Sequence, residues 1–304
     1  MQKMALSALG AVMAGVVALA VQPAVAQEVF ASPEAASTAL VDAAKAPEKG
    51  MLDKIFGPGA RELIASGDPD VDKQRLSDFL ELASKGSAVE DGENGVKVLT
   101  YGADQWPFPI PLKKAADGWT FDLAAGKQRI ADMSIGQNEL VTIGVCDDYV
   151  AAQNEYFRTL HDDEPVQQFA RRLVSRPGRH DGLYWEPASP TDRSPLGDRI
   201  VAAAVRSSDD PNAPRSYQGY RYHILTRQGP AAPGGAYDYL VNGRMLAGFA
   251  LIAYPEKWGE TGIMTFLCDQ RGNVWQRNLG ASTGKVAPGV RTFNPHSDWD
   301  PVER

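Results

Sequence analysis

Cysteine and histidine are scarce in this 304-residue chain, with two of the first and four of the second. That leaves too few soft ligands for a zinc framework built from clustered Cys and His. No C-x-x-C or H-E-x-x-H string occurs, so the familiar motifs for thiol redox and metalloprotease chemistry are missing. Gly280-Ala-Ser-Thr-Gly-Lys285 is one residue short of a phosphate loop. Val286 stands where a hydroxyl is required, and Pro288-Gly289 stops the helix such a loop must open. Asp68-Pro-Asp-Val-Asp72 begins like a calcium loop, but Lys73 and Phe79 fill the positions that need Gly and a carboxylate. Asp68 reads instead as a helix cap. No metal and no cofactor is expected. Positive charge is also in deficit, the formal net charge being -7. Binding to phosphate backbones or docking on anionic lipid is therefore not expected.

Long apolar runs are absent after the first 21 residues. The one such run, Met4 to Val21, follows Lys3 and is followed by Ala24-Val-Ala26, an A-x-A cleavage signature. The expectation is a signal peptide over residues 1–26, removed before Gln27, with no stable membrane insertion afterwards. The localisation expected is periplasmic or secreted. Cys146 and Cys268 would then meet an oxidising setting. Two readings of them stay open: a disulfide tying a helix to a sheet, or two buried free thiols.

What remains is ample for folding. Hydrophobic residues make up 43% of the chain, enough for genuine cores, and 29 Gly with 21 Pro point to many turns. An N-terminal α+β domain is expected over residues 27–127. Ser32-Pro-Glu34 starts its first helix, which runs to about Lys45. Met51–Phe56 and Arg61–Ser66 read as short helices, and Asp68 to Lys85 as a longer one. A small hairpin sheet follows, with Gly95–Tyr101 as one strand and Asp117-Gly118 as a turn before Trp119–Asp122. The three prolines of Trp106-Pro-Phe-Pro-Ile-Pro-Leu112 allow only an edge strand or an extended run there. Trp106 and Phe108 are expected to pack under the helices, the alternative being that the run is a protein-binding edge.

A second α+β domain is expected over residues 128–280, with a long helix packed on an antiparallel meander. The helix, about Ile135 to Leu160, carries Ile143, Cys146, Val150, Phe157 and Leu160 on one stripe, with Gln153 in the remaining position. Val166–Val174 and Leu196–Arg206 read as further helices. The meander runs from Tyr217 to Leu279. Asn242-Gly243 is its strongest hairpin signal, joining Tyr237–Val241 to the strand from Met245. Residues 281–304 read as a loose polar tail.

Two places stand out as candidate contacts. Arg176, Arg179 and His180 lie together beside Asp181, with Arg171 and Arg172 close in sequence. Such a cluster suits a carboxylate or phosphate, although a solvated basic helix end has the same composition. The loop Gly229–Tyr239 is small and apolar. It either covers its own sheet or presents Tyr237 and Tyr239 to a partner.

Phe30-Ala-Ser-Pro-Glu-Ala, Gly57-Pro-Gly, Trp106-Pro-Phe-Pro-Ile-Pro-Leu, Asp181-Gly-Leu-Tyr-Trp and Gly229-Pro-Ala-Ala-Pro-Gly-Gly-Ala-Tyr-Asp-Tyr occur in that order. Together they resemble the bacterial domain-of-unknown-function family 2950. That resemblance implies an exported Gram-negative envelope protein and carries no catalytic residues. Asn138-Glu-Leu, Ala152-Gln-Asn-Glu-Tyr156, Gly219-Tyr-Arg-Tyr and Gly262-Ile-Met-Thr-Phe, through Asp269-Gln-Arg-Gly, resemble the globular heads of type IV pilins and pseudopilins. The function expected is a non-enzymatic envelope interaction module with other envelope proteins as partners. The alternative is a periplasmic hydrolase using Arg179, His180 and Asp181. The oligomeric state is left open by the sequence.

Overall fold

The computed structural model describes residues 27–46, 51–65, 68–197 and 216–303. The expected leader and cleavage site lie outside the described residues, as does nearly all of the helix expected over Leu196–Arg206. The chain divides into two compact units between Lys127 and Gln128.

In the first unit α1 (Pro33–Lys45) is capped by Ser32, whose hydroxyl accepts from the Ala35 amide at 3.2 Å. Two short helices follow, α2 (Met51–Phe56) and α3 (Ala60–Ile64). Asp68 caps α4 (Pro69–Ser84) by accepting from the Asp70 and Val71 amides at 2.9 and 3.4 Å. Its carboxylate serves the helix end, as its position before Pro69 dictates.

The strands are β1 (Ser87–Asp91), β2 (Lys97–Tyr101), β3 (Trp106–Pro107), β4 (Leu112–Ala115) and β5 (Gly118–Phe121). Their order is β1-β2-β4-β5, with β3 also on β2. Phe56, Phe108, Tyr101 and Phe121 pack together beneath the helices. Trp106 does not join them: it is 59% exposed on the short edge strand. The prolines on either side of Phe108 hold the run extended, and Trp106 is left on the open edge while Phe108 reaches the core.

The second unit is built on α5 (Leu123–Phe157), a 35-residue helix that begins earlier than its apolar stripe suggests. The strands after it are β6 (Tyr220–Leu225), β7 (Arg227–Gln228), β8 (Tyr237–Asp238), β9 (Leu240–Val241), β10 (Arg244–Met245), β11 (Ala250–Pro255), β12 (Met264–Asp269), β13 (Val274–Asn278), β14 (Thr292–Phe293) and β15 (Asp300–Pro301). The main sheet has the order β15-β13-β12-β11-β6 and is antiparallel throughout.

Register assigns its faces. Ile224, Leu251, Cys268 and Val274 form one cross-strand row, and Cys268 is joined to Cys146 of α5 by a disulfide with a Cα–Cα distance of 6.0 Å. The adjoining row shares that face, since the Tyr222 and Thr142 hydroxyls meet at 3.1 Å. Glu139 fastens the helix further: one of its carboxylate oxygens accepts from the Ile263 and Met264 amides at 2.8 and 2.9 Å. The opposite row is His223, Ile252, Leu267 and Trp275.

That opposite row is covered by residues 281–303, which corrects the expectation of a loose tail. Phe293 packs edge-on against Trp275 at 5.2 Å, and the His223 ring lies 2.7 Å from the Val290 carbonyl oxygen. Thr283, Ala287 and Phe293 are buried, β14 pairs with β7, and β15 closes the sheet edge on β13. A polar composition concealed a few widely spaced anchors. With both faces covered, every residue of β11 is buried.

Two further expectations need correction. Leu160 lies beyond the end of α5 and is 58% exposed, while Tyr149 and Tyr156 take the buried positions instead. The Asn242-Gly243 hairpin joins two-residue strands, β9 and β10, and stands apart from the main sheet.

Candidate functional site

The cluster of arginines lies in the segment that follows α5. Residues 166–174 are not helical as expected, because their backbone groups are claimed by tertiary partners. The Gln153 amide holds both sides of Ala170, its Nε2 donating to the carbonyl at 2.9 Å and its Oε1 accepting from the amide at 2.8 Å. The Phe169 amide donates to the Met245 carbonyl at 2.9 Å, and the Arg172 carbonyl accepts from the Leu183 amide at 3.0 Å. A helix would forfeit all of these bonds. Asp181-Gly182 turns the chain back against this segment. Gly182 is required there, because a Cβ would stand 2.7 Å from the Ser175 nitrogen and 2.8 Å from the Val174 carbonyl carbon.

This doubled segment forms a cleft of about 520 Å³ in the second unit. Arg171, Arg172, Arg176 and Arg179 line it, together with Asp162, Glu164 and Asp181. Aromatic surface comes from Tyr156, His161 and Phe169. The β9–β10 hairpin contributes Gly243, whose carbonyl accepts from Arg171 Nη1 at 2.8 Å.

Each carboxylate in the cleft is engaged. Asp181 receives the Arg176 amide at 2.9 Å and Arg176 Nε at 2.6 Å, with Arg172 Nε at 3.5 Å. Burial alone would raise its pKa, but these hydrogen bonds and the two guanidinium charges hold it below the ordinary carboxylate value. Glu164 pairs with Arg244 at 2.9 Å, and Asp162 accepts the His180 amide at 3.0 Å through both oxygens. Arg171 and Arg179, by contrast, form no ion pair among the described residues.

The aromatic wall is fixed and uncharged. Tyr156 donates from its hydroxyl to the His180 carbonyl at 2.7 Å. Burial, then the charges of Asp162, Asp181 and Glu164, push its pKa well above the ordinary phenol value, so it stays protonated and remains a donor. His161 stacks on Tyr156 with ring centroids 3.8 Å apart and lies 3.0 Å from the Tyr156 carbonyl oxygen. Burial lowers the His161 pKa, which favours the neutral ring.

The structure therefore gathers Arg176 and Arg179 with Arg171 and Arg172, and it sets the other candidates apart. The His180 ring lies against Trp185 at 4.3 Å, with Nε2 3.6 Å from Asp192. Tyr239 is buried and donates its hydroxyl to Gln228 at 3.0 Å, so it is closed to a partner. Tyr237 is 37% exposed but lies outside the cleft lining. The Gly229–Tyr239 loop covers its own sheet, with Gln228 Nε2 donating to the Pro233 and Gly235 carbonyls at 2.9 and 2.6 Å. Sequence reasoning missed Tyr156, His161 and Phe169 as cleft walls. The only hint was the Gln153 break in the apolar stripe of α5.

A family model described as protein of unknown function (DUF2950) matches residues 27–302. No curated protein and no solved structure matches the chain.

Proposed function

Because the chain belongs to the DUF2950 family over residues 27–302, we propose that it is an exported, non-enzymatic envelope protein that contacts another envelope protein through the arginine cleft. The observation that carries this reading is the pair Arg171 and Arg179, which line a recess without a carboxylate partner among the described residues. The cleft's own carboxylates are already engaged, so these two guanidiniums offer fork-shaped donors to an outside anion.

Export is supported by three features. The apolar leader ends in an A-x-A signature, the family match begins at residue 27, and the Cys146–Cys268 disulfide belongs to a type that persists in oxidising compartments. A long helix laid on an antiparallel sheet also supports the likeness to pilin heads, a likeness of organisation that transfers no activity. The hydrolase alternative finds little in the geometry. Asp181 is held by two arginines, and the His180 ring is seated on Trp185 and Asp192, with no Ser, Thr or Cys side chain hydrogen-bonded to it among the described residues.

Chemical crosslinking of intact cells, followed by recovery of this chain, tests the proposal. A discrete adduct with a second envelope protein, absent after Arg171 and Arg179 are both replaced by Gln, is the expected result. Recovery of uncrosslinked monomer alone would count against it.

A further inference from the structure

We infer that the cleft receives carboxylates presented by an acidic segment of the partner protein; this rests on the proposed contact function and names its chemistry. The cleft already contains one carboxylate bound in this manner. Asp181 sits between Arg176 and Arg172, takes the Arg176 amide as well, and is 20% exposed. The same segment carries two more guanidiniums of the same kind. Arg171 spends one nitrogen on the Gly243 carbonyl, and Arg179 has no ion pair among the described residues. A guanidinium has five N–H donors and no acceptor, so much donor capacity remains.

Neighbouring acids do not compete for these donors. Glu164 is matched to Arg244 and Asp162 to the His180 amide. Tyr156, His161 and Phe169 supply aromatic surface in the same cleft. Two separate guanidiniums are best matched by two carboxylates on one chain, and a single small anion satisfies them poorly.

Charge on the whole chain narrows the occupant further. At a net -7, the chain as a whole repels a long polyanion. A short segment of Asp and Glu meets that repulsion only over its own length. A nucleic acid would meet it over its whole contact.

Calorimetry on the full purified chain, disulfide intact, tests this with three probes: capped hexaglutamate, succinate and inorganic phosphate. Hexaglutamate should bind at least about ten-fold more tightly than either small anion, given the strength of hydrogen bonds to charged groups. Arg179→Gln should weaken it about ten-fold. Arg171→Lys with Arg179→Lys should weaken it similarly, because charge is kept but the fork is lost. Unchanged near-UV circular dichroism and melting in both variants exclude misfolding. Absence of peptide binding, variants that bind like the parent, or small anions that match the peptide would each overturn the inference. If hexaglutamate fails while crosslinks through the cleft persist, the contact reading stands and only the ligand chemistry falls.

Discussion

Gln153 does at residue scale what the arginine cleft requires. Fully buried on α5, it bonds both backbone groups of Ala170 and donates to Tyr149, so it fixes where the arginine segment leaves the helix. Gln153→Leu would strand two backbone groups and remove three bonds. A loss of about 2–4 kcal/mol in urea unfolding is expected, since unpaired buried polar groups cost about 1–3 kcal/mol each. A change below about 0.5 kcal/mol would contradict this role. The residue was visible in the sequence as a polar break in an apolar stripe. Its partner was not, because Ala170 lies in a segment whose local pattern reads as helix.

Histidine supplies the second prediction at this scale. Burial lowers the pKa of both His161 and His223 from the ordinary 6.5. The unfolded chain therefore takes up these protons first as pH falls. Their contribution is complete above about pH 6.5 and is lost as pH drops through the lowered folded values. The urea midpoint should fall between about pH 7.5 and 5.5, and His161→Phe should flatten that slope. An unchanged midpoint across the range would refute the burial of neutral rings.

At the scale of elements, the disulfide and the close approaches of β6 to its neighbours set the frame for α5. Cys146 and Cys268 are 122 residues apart, so their bond restrains a large part of the unfolded chain. Replacing both with Ser should lower stability by about 2–5 kcal/mol. Reductant should do the same to the parent and nothing to the variant. Gly262 is a second point of tight contact. A Cβ there would meet the hydroxyl of buried Tyr220 at 2.1 Å. Gly262→Ala should therefore cost about 1–3 kcal/mol by overpacking, read as a lower melting midpoint.

The alternation of Tyr222, Ile224, Phe249, Leu251, Phe266 and Cys268 made the meander legible, because a strand period of two is strong in a sheet with one helix-covered face. The segment from Arg158 to Gly197 was illegible for the opposite reason. It has almost no regular structure, and its shape depends on bonds to α5 and to β10. The covering role of Phe293 was hidden in the same way, since one aromatic among polar residues carries no period.

The whole molecule consists of two units, each with its own hydrophobic core. One core centres on the phenylalanine group under α1 and α2, the other on α5 and the main sheet. The acidic charge of the chain and the arginines of the cleft oppose one another in sign. In the proposed account that contrast directs a partner to one place.

A photoreactive residue placed in the cleft tests the central claim most directly. One variant carries it at Gln168, within the lining, and a control carries it at exposed Ser282, outside the lining. The account predicts an adduct with a second envelope protein from position 168 and none from 282. Equal adducts from both positions, or none from either, would contradict it.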